Sequence, residues 1–286
     1  MEKAAEKIDM HVHSNASDGT FTPRELVDYA VKKGLKAFAL TDHDTVAGLE
    51  EAIGSAQGSN IEVIPGIEFS TAYEGRDIHI LGYDMDYRSD EFRDGLKALI
   101  ESRDVRNMEM TELLVRNGFE KITYKALKEA FPDAVITRAH IARLMVSFGY
   151  AGDMREVFDR YIGEGCPFYV GRKRSTPKQA IELILTAGGI PVLAHPLLYG
   201  FTLSGLERAV KEFVTYGLCG IEAIYSMNTG AEEREMKRLA LRNRLLITGG
   251  SDFHGSNKPH IDMGEGRGGL FVPYSCLEEL RRLKRA

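Results

Sequence analysis

The sequence has few cysteines, and they lie far apart. Cys166, Cys219 and Cys276 are the only three among 286 residues, and they form no C-x-x-C motif. This spacing indicates neither a disulfide framework nor a thiolate zinc site. It is typical of proteins that work in a reducing compartment, so we expect a cytoplasmic location.

Long apolar runs and a basic excess are also lacking. No segment approaches the unbroken apolar length that crosses a bilayer, and no apolar signal core precedes the first strand, so we expect no membrane partner. The formal net charge is −5, which excludes the global basic excess of a dedicated nucleic-acid-coating protein. With 43% hydrophobic residues, the chain can bury the core of one large α/β domain, or of one domain that carries an insertion.

Short apolar runs alternate with amphipathic helical patterns in the first and last parts of the chain. The predicted strands lie near 7–13, 37–40, 61–70, 77–83, 188–194, 220–225 and 245–250. Helical patterns cover about 22–33, 46–57, 177–186, 204–216, 230–243 and the last turns from Ser275. This rhythm favours a parallel α/β sheet or barrel, in which chemistry is built where the strands end.

The rhythm changes between residues 88 and 165, where the pattern is helical, strongly charged and without a convincing strand. We therefore predict a barrel whose first part is 1–87 and whose second part is 166–286. The segment between them is predicted to be a small all-helical insertion that could cap the rim.

The segment from Lys7 to Gly19 reads as a strand that runs into a loop. Side chains alternate along a strand, so His11 and His13 point the same way and can reach one cation. Asp18, in the loop, can reach a neighbouring cation. The alternative is that one of these histidines is an ordinary core or surface residue.

The placement of the other histidines strengthens the metal interpretation. Seven of the eight histidines lie at strand ends or in the insertion: His11, His13, His43, His79, His140, His195 and His254. The acids that join them are Asp18, Asp42, Glu68 and Asp252. Together they offer ligands for two or three divalent cations, with manganese, iron or zinc favoured over copper. For Asp42 and its neighbour Asp44, a capping or turn role stays open.

These motifs carry a resemblance to a known family. The order His11-x-His13 with Asp18, Thr41-Asp42-His43, Glu68, His79, Ala194-His195-Pro196 and Ser251-Asp252-x-His254 resembles the polymerase and histidinol phosphatase (PHP) family. It is most similar to stand-alone phosphoesterases with a helical insertion, among them nucleoside 3′,5′-bisphosphate phosphatases and 5′–3′ exoribonucleases. The resemblance implies a distorted (β/α)7 barrel with three metal ions at its rim.

The resemblance also implies a ligand set for each ion. The first would be held by His11, His13, Glu68 and Asp252. Glu68 would bridge to a second ion held by His79 and His195, and the third would take Asp18, His43 and His254. Asp42 would orient an imidazole or a strand end. The catalytic residues would be His11, His13, Asp18, Glu68 and Asp252, around a metal-bound hydroxide that attacks phosphorus.

Three basic or imidazole side chains are candidate substrate contacts. Arg138 and His140 lie near a predicted helix N-terminus, and a similar Thr-Arg-x-His segment faces the active site in the resembling phosphoesterases. Arg172 belongs to the run Arg172-Lys173-Arg174. The alternative for all three is an ordinary solvated surface. Ser226-Met227-Asn228-Thr229 follows a strand where a polar or histidine-bearing loop was expected.

The leading hypothesis is a metal-dependent phosphoesterase that hydrolyses a nucleotide 3′,5′-bisphosphate or acts at the 5′ end of short RNA. One alternative is a phosphatase for a non-nucleotide metabolite such as histidinol phosphate. Others are an amidohydrolase on the same barrel and a non-catalytic metal-binding module. No protein partner is evident from the sequence.

Overall fold

The computed structural model describes residues 6–132, 134–171 and 175–285. The chain divides into two compact units: a barrel unit, Met1–Gly95 with Ser175–Ala286, and a helical unit, Leu96–Arg174. Among the described residues, no helix is both long and apolar enough to cross a membrane.

The strands of the described residues all belong to the barrel unit. They are β1 (Lys7–Val12), β2 (Ala37–Leu40), β3 (Glu62–Tyr73), β4 (Arg76–Tyr83), β5 (Ile190–Leu193), β6 (Gly220–Tyr225), β7 (Leu246–Gly250) and β8 (Val272–Pro273). They form one sheet in the order β7-β6-β5-β4-β3-β2-β1-β8. The α/β barrel expected from the sequence is therefore present.

The sheet nearly closes on itself because the segment after β7 hydrogen-bonds to β1. The backbone N–H of Asp252 donates to the carbonyl of His11 at 2.8 Å, and that of His13 donates to Phe253 at 3.0 Å. Gly250 permits this approach, since a Cβ there would lie 2.3 Å from the Cβ of His11. The histidine motif near the start of the chain and the Asp252-x-His254 motif near its end therefore lie next to each other.

The parallel pairing expected from the rhythm does not hold for every strand, because β4 pairs antiparallel with both β3 and β5, and the short β8 pairs antiparallel with β1. A tight turn at Glu74-Gly75, with φ of 48° and 74°, joins β3 to β4 as a hairpin. Because β4 runs the opposite way, His79 reaches the rim from the first half of its strand. Glu68 likewise lies within β3, which continues to Tyr73, and not at its end.

The helices follow their capping signals. The α-helices of the described residues are α1 (Pro23–Lys32), α2 (Leu49–Ser55), α3 (Asp90–Arg116), α4 (Tyr124–Ala130), α5 (Arg138–Ser147), α6 (Met154–Val157), α7 (Pro177–Thr186), α8 (Leu203–Tyr216), α9 (Gly230–Arg242) and α10 (Ser275–Arg285). At α1 the Thr22 hydroxyl accepts from the Glu25 N–H, and the Glu25 carboxylate accepts from the Thr22 N–H. Thr137, Thr176 and Thr229 begin α5, α7 and α9 in the same way.

Two helical features differ from the expectation. α2 begins at Leu49, later than predicted, because Ala47 N–H donates to the Thr45 hydroxyl in a local turn that precedes the helix. In the helical unit, α6 runs into a π-helical turn over Phe158–Ile162 that the sequence pattern did not indicate. Where they are described, residues 96–171 contain no strand.

β2 shows why strands of this sheet appear in the sequence as unbroken apolar segments. Phe38 and Leu40 pack in a cluster with residues of α1 and α2. Ala37 and Ala39 pack in a second cluster with residues of β1, β3, β4, β5 and α10. Both faces of the strand are therefore buried, so neither face needs a polar side chain.

Candidate metal centre

Glu68 is the centre of the cluster and is fully buried on β3. Its Oε1 lies 2.9 Å from His79 Nδ1 and 2.9 Å from His195 Nε2. Three more imidazole nitrogens surround Oε2: His43 Nδ1 at 3.0 Å, His13 Nε2 at 3.2 Å and His11 Nε2 at 3.3 Å. One carboxylate therefore gathers five imidazole nitrogens from four strands or strand ends.

β1 supplies His11 and His13, whose ring centroids lie 5.1 Å apart and whose side chains are fully buried. The loop after β1 turns back at once, so that Asp18 Oδ1 comes within 3.9 Å of His13 Nδ1. Gly19 makes that turn possible, because a Cβ there would lie 2.3 Å from the His13 carbonyl oxygen. The same-side placement expected for the His-x-His pair is what the strand produces.

The segment after β7 supplies Asp252 and His254. Asp252 Oδ1 lies 3.5 Å from His13 Nε2, and His254 Nε2 lies 3.2 Å from Asp18 Oδ1. Asp252 has a φ of 60°, a left-handed conformation that a non-glycine residue keeps only when its surroundings enforce it. The hydrogen bond from its N–H to His11 is one such constraint.

Several buried polar atoms of this cluster make no hydrogen bond within the described part of the chain. They are His11 Nε2, His13 Nε2, His43 Nδ1 and Glu68 Oε2, which face one another. Buried polar atoms without partners are costly, and a convergent set of imidazole nitrogens and carboxylate oxygens matches the ligand preferences of manganese, iron and zinc. The residues present therefore fit a divalent metal centre.

Four subsets of the cluster bring ligand atoms within 4.8 Å of one another: His13-Asp18-His43-His254, His11-Glu68-His195, His11-His13-Asp252 and His43-Glu68-His79. Compared with the three ligand sets that the resemblance implies, His13 also lies beside the Asp18 group. His79 and His195 lie in separate subsets, each sharing Glu68. The structure thus brings together all nine residues that the sequence proposed as ligands.

Burial and charge push the pKa values of the cluster in opposite directions. Burial raises the pKa of Glu68, but attraction by His43, His11 and His79 outweighs it and holds the pKa well below its usual range. Burial and repulsion by His254 hold the pKa of His13 well below its usual range. Burial lowers the pKa of His79, yet Glu68 and Asp77 raise it overall to about 10. At neutral pH Glu68 is ionised and His13 neutral, the forms that bind metal, whereas His79 is protonated and must release a proton when metal binds.

Glu222, on β6, contacts the cluster directly and was not among the site residues that the sequence indicated. It is fully buried, its Oε1 lies 3.0 Å from His11 Nδ1, and its Oε2 accepts the His195 backbone N–H at 2.8 Å. A carboxylate acceptor assigns a proton to His11 Nδ1, so Nε2, the nitrogen beside Glu68, is the one available to a cation. The only sequence signal was an acid within an otherwise apolar strand.

Asp42 and Asp44 are both buried, and neither faces solvent. Asp42 accepts from the Ser14 N–H at 2.8 Å, the Ser14 hydroxyl at 2.6 Å and the Ser17 hydroxyl at 2.6 Å. Burial raises its pKa to about 6. Asp44 accepts the Ser70 N–H at 2.9 Å and has a φ of 51°. Both acids hold the loops that carry the cluster, which is consistent with the orienting role expected for Asp42.

In the helical unit, Arg138 and His140 form the start of α5. His140 is buried, which contradicts the alternative of an ordinary surface residue, and its Nδ1 accepts the Thr137 N–H at 2.9 Å. The Arg138 guanidinium lies 5.6 Å from the Tyr169 ring centroid and 5.9 Å from that of Phe158. The predicted substrate contact Arg172 lies outside the described residues.

Comparison with known proteins places these residues in a family. Residues 9–185 match the model of the PHP domain. The chain is 37% identical to a 5′-3′ exoribonuclease of Haemophilus influenzae, over 87% of this chain and 90% of that protein. It is 34% identical to a 3′,5′-nucleoside bisphosphate phosphatase of Chromobacterium violaceum, over 90% of each chain.

Among solved structures, a protein of Bifidobacterium adolescentis assigned as a metal-dependent phosphoesterase superposes with a TM-score of 0.85. It is 27% identical, and the match covers 98% of this chain and 96% of that chain. The match therefore includes both the barrel unit and the helical unit.

Proposed function

Since the chain belongs to the PHP domain family, we propose that its rim cluster hydrolyses phosphate esters of nucleotides with the help of bound divalent cations. The chain is a hydrolase of phosphoric esters, as its relatives and its metal-ligating cluster agree. The substrate is proposed to be a nucleoside 3′,5′-bisphosphate or the 5′ end of a short RNA, the substrates that the names of two relatives state.

One observation carries the proposal: the buried nitrogen and oxygen atoms around Glu68 that converge without hydrogen bonds in the described residues. Two or three ions held by the nine residues would lower the pKa of a coordinated water and neutralise charge on the phosphoryl oxygens. Manganese, iron and zinc all suit this donor set.

The chain's own residues prepare the site for that chemistry. Glu222 holds the proton of His11 at Nδ1, and Asp42 fixes the loop that follows His13. Lys258 Nζ lies 2.5 Å from Asp252 Oδ2, and the Tyr225 hydroxyl donates to the same oxygen at 2.8 Å. Asp252 thus keeps Oδ1 directed at the imidazoles while Oδ2 is held from the opposite side.

We further propose that the helical unit serves substrate binding, as its sequence suggested. The start of α5 supports this, because the Arg138 guanidinium is planar and suits bidentate phosphate contacts. A metabolite phosphatase acting on histidinol phosphate is not favoured, since both curated relatives described above act on nucleotides or RNA by name.

The test compares adenosine 3′,5′-bisphosphate with a 5′-phosphorylated short RNA in the presence of manganese. Wild-type protein should release phosphate from the first or shorten the second stepwise, and His13→Ala should abolish both. Chelation should stop turnover, and added manganese should restore it. Failure to act on either substrate by protein that holds metal would contradict the nucleotide assignment.

A further inference from the structure

Tyr199 is a buried tyrosine whose hydroxyl contacts the backbone beside two proposed metal ligands. It ends a short 3-10 helix, Pro196–Tyr199, that begins directly after His195, and only 7% of its surface is exposed. The hydroxyl donates to the Ala194 carbonyl at 2.7 Å and accepts the His79 N–H at 3.0 Å. One side chain therefore joins His79 to the residue that precedes His195.

The Tyr199 hydroxyl lies where a direct hydrogen bond between two strands would be expected. In an antiparallel hydrogen-bonded pair, two opposite residues exchange both of their N–H···O bonds. β4 and β5 pair up to Ile80 and Leu193. In the next pair, the Ala194 N–H donates to the His79 carbonyl at 3.1 Å. The hydroxyl lies between the other two partners, the His79 N–H and the Ala194 carbonyl, and this insertion sets the separation of the two backbones.

That separation determines where the two imidazoles lie. His79 Nδ1 and His195 Nε2 are each 2.9 Å from the same oxygen of Glu68, Oε1. The two ring centroids are 5.1 Å apart. His195 has a φ of 20° and a ψ of 59°, outside the strand and right-handed helical regions, so its backbone needs neighbours that hold it in place.

Tyr199 is itself held by β4, the strand that carries His79. Arg76 Nη1 donates to the Tyr199 carbonyl at 2.7 Å, and the Arg76 guanidinium lies 4.6 Å from the Phe201 ring centroid. The Tyr199 ring meets the His195 ring edge-on, with centroids 5.6 Å apart. A group that positions a ligand must have its own conformation fixed by packing and hydrogen bonds, and Tyr199 meets this condition.

We propose that Tyr199 is a positioning residue of the metal centre, whose hydroxyl sets the spacing of His79 and His195 so that both imidazoles bind a cation beside Glu68. Tyr199 acts through the two backbones and not by contact with the ion or the substrate. The inference rests on the proposed function, because it takes the rim cluster to be a divalent metal centre.

The first test is Tyr199→Phe, which removes the hydroxyl and keeps the ring. Calorimetry with metal-free protein and manganese should show affinity about tenfold weaker, the loss typical of a group that orients a metal ligand. Tyr274→Phe is the matched control, because it removes a hydroxyl bond of 2.9 Å to Glu62, the first residue of β3. Its manganese affinity should equal that of wild type. Unaltered affinity in Tyr199→Phe would overturn the proposal.

A spectrum of the cobalt-substituted protein separates positioning from stability. Both variants lose one hydroxyl hydrogen bond, so both should unfold at a somewhat lower temperature. Only Tyr199→Phe should change the visible absorption bands of bound cobalt, which report the geometry of the ligands. A lower unfolding temperature in Tyr199→Phe together with the wild-type cobalt spectrum would make the role of Tyr199 structural and overturn the proposal.

Hydrolysis at saturating manganese tests whether Tyr199 acts only through the ligands. The kcat of Tyr199→Phe on a phosphate ester should return to within about twofold of wild type, with KM unchanged, because only metal occupancy was lost. A raised KM under these conditions would make Tyr199 a substrate contact and overturn the proposal.

A second variant decides the question if Tyr199→Phe does not fold. Arg76→Gln removes the bond to the Tyr199 carbonyl and should weaken manganese binding about threefold, as expected for one lost hydrogen bond. Wild-type affinity in that variant would then overturn the proposal. If metal-loaded wild-type protein hydrolyses no phosphate ester, the proposed function fails, and the calorimetry and cobalt spectra still decide the role of Tyr199.

Discussion

Asp9 and Glu68 are both fully buried carboxylates in the barrel unit, but their surroundings differ completely. Asp9 accepts from the Ser251 N–H at 2.8 Å, the Ser251 hydroxyl at 2.5 Å and the Gly264 N–H at 2.7 Å. Glu68 faces imidazole nitrogens, and its Oε2 has no hydrogen bond within the described residues.

The contrast separates an acid that holds the fold from one that serves a site. Burial raises the pKa of Asp9 despite its hydrogen bonds, whereas nearby histidines pull the pKa of Glu68 down. A backbone N–H has no lone pair to offer a cation, and the Ser251 hydroxyl directs its proton at Asp9, whereas imidazole nitrogens are metal ligands. The donors around a buried acid, and not its burial, indicate whether it binds metal.

The largest expected effect comes from Glu68→Gln, which removes the charge that gathers the imidazoles. Phosphoesterase activity should fall by about three orders of magnitude or more, beyond the roughly 10–100-fold loss typical of residues that only orient a ligand. Bound metal, measured by elemental analysis, should drop as well, while circular dichroism stays native. Exposed Glu91→Gln is the control, and full activity in Glu68→Gln would break the comparison.

Asp9→Ala should act on stability instead. It leaves the buried N–H groups of Ser251 and Gly264 without their acceptor, at about 1–3 kcal/mol for each. We expect the free energy of unfolding in urea to fall by roughly 3 kcal/mol, while the exposed Asp28→Ala changes it little. A wild-type midpoint in Asp9→Ala would show that the network adds nothing to the fold.

Glu222→Gln should give the smallest of the three effects. Glu222 contacts both a metal-site imidazole, as Glu68 does, and a backbone amide, as Asp9 does, so its variant should behave in a way intermediate between theirs. Metal affinity should fall about 10–100-fold, since a neutral amide holds the His11 tautomer less firmly. Excess manganese should therefore rescue activity in this variant but not in Glu68→Gln. A loss that manganese leaves unchanged would place Glu222 outside the ligand-orienting group.

Much of the site could be predicted from the sequence because only a few residue types have side chains that bind metal ions. Three local motifs indicate metal ligands whatever the details of the barrel. They are the His-x-His pair on a strand, the acid in the loop that follows it, and Ser251-Asp252-x-His254 after a later strand. The seven main strands followed from apolar runs bounded by turn signals. These are local patterns, set by side-chain alternation and capping.

The tertiary structure decided what depends on residues far apart in the chain. Asp9 meets Ser251 and Gly264, and His11 meets Glu222, across more than 200 positions. The direction of β4 depended on the tight turn at Glu74-Gly75. The apolar pattern of a strand is the same whether the strand runs parallel or antiparallel to its neighbours, so the sequence pattern did not reveal that direction. The role of a buried carboxylate is set by the groups that folding brings next to it. Only the folded, nearly closed barrel places imidazoles around Glu68 and backbone amides around Asp9.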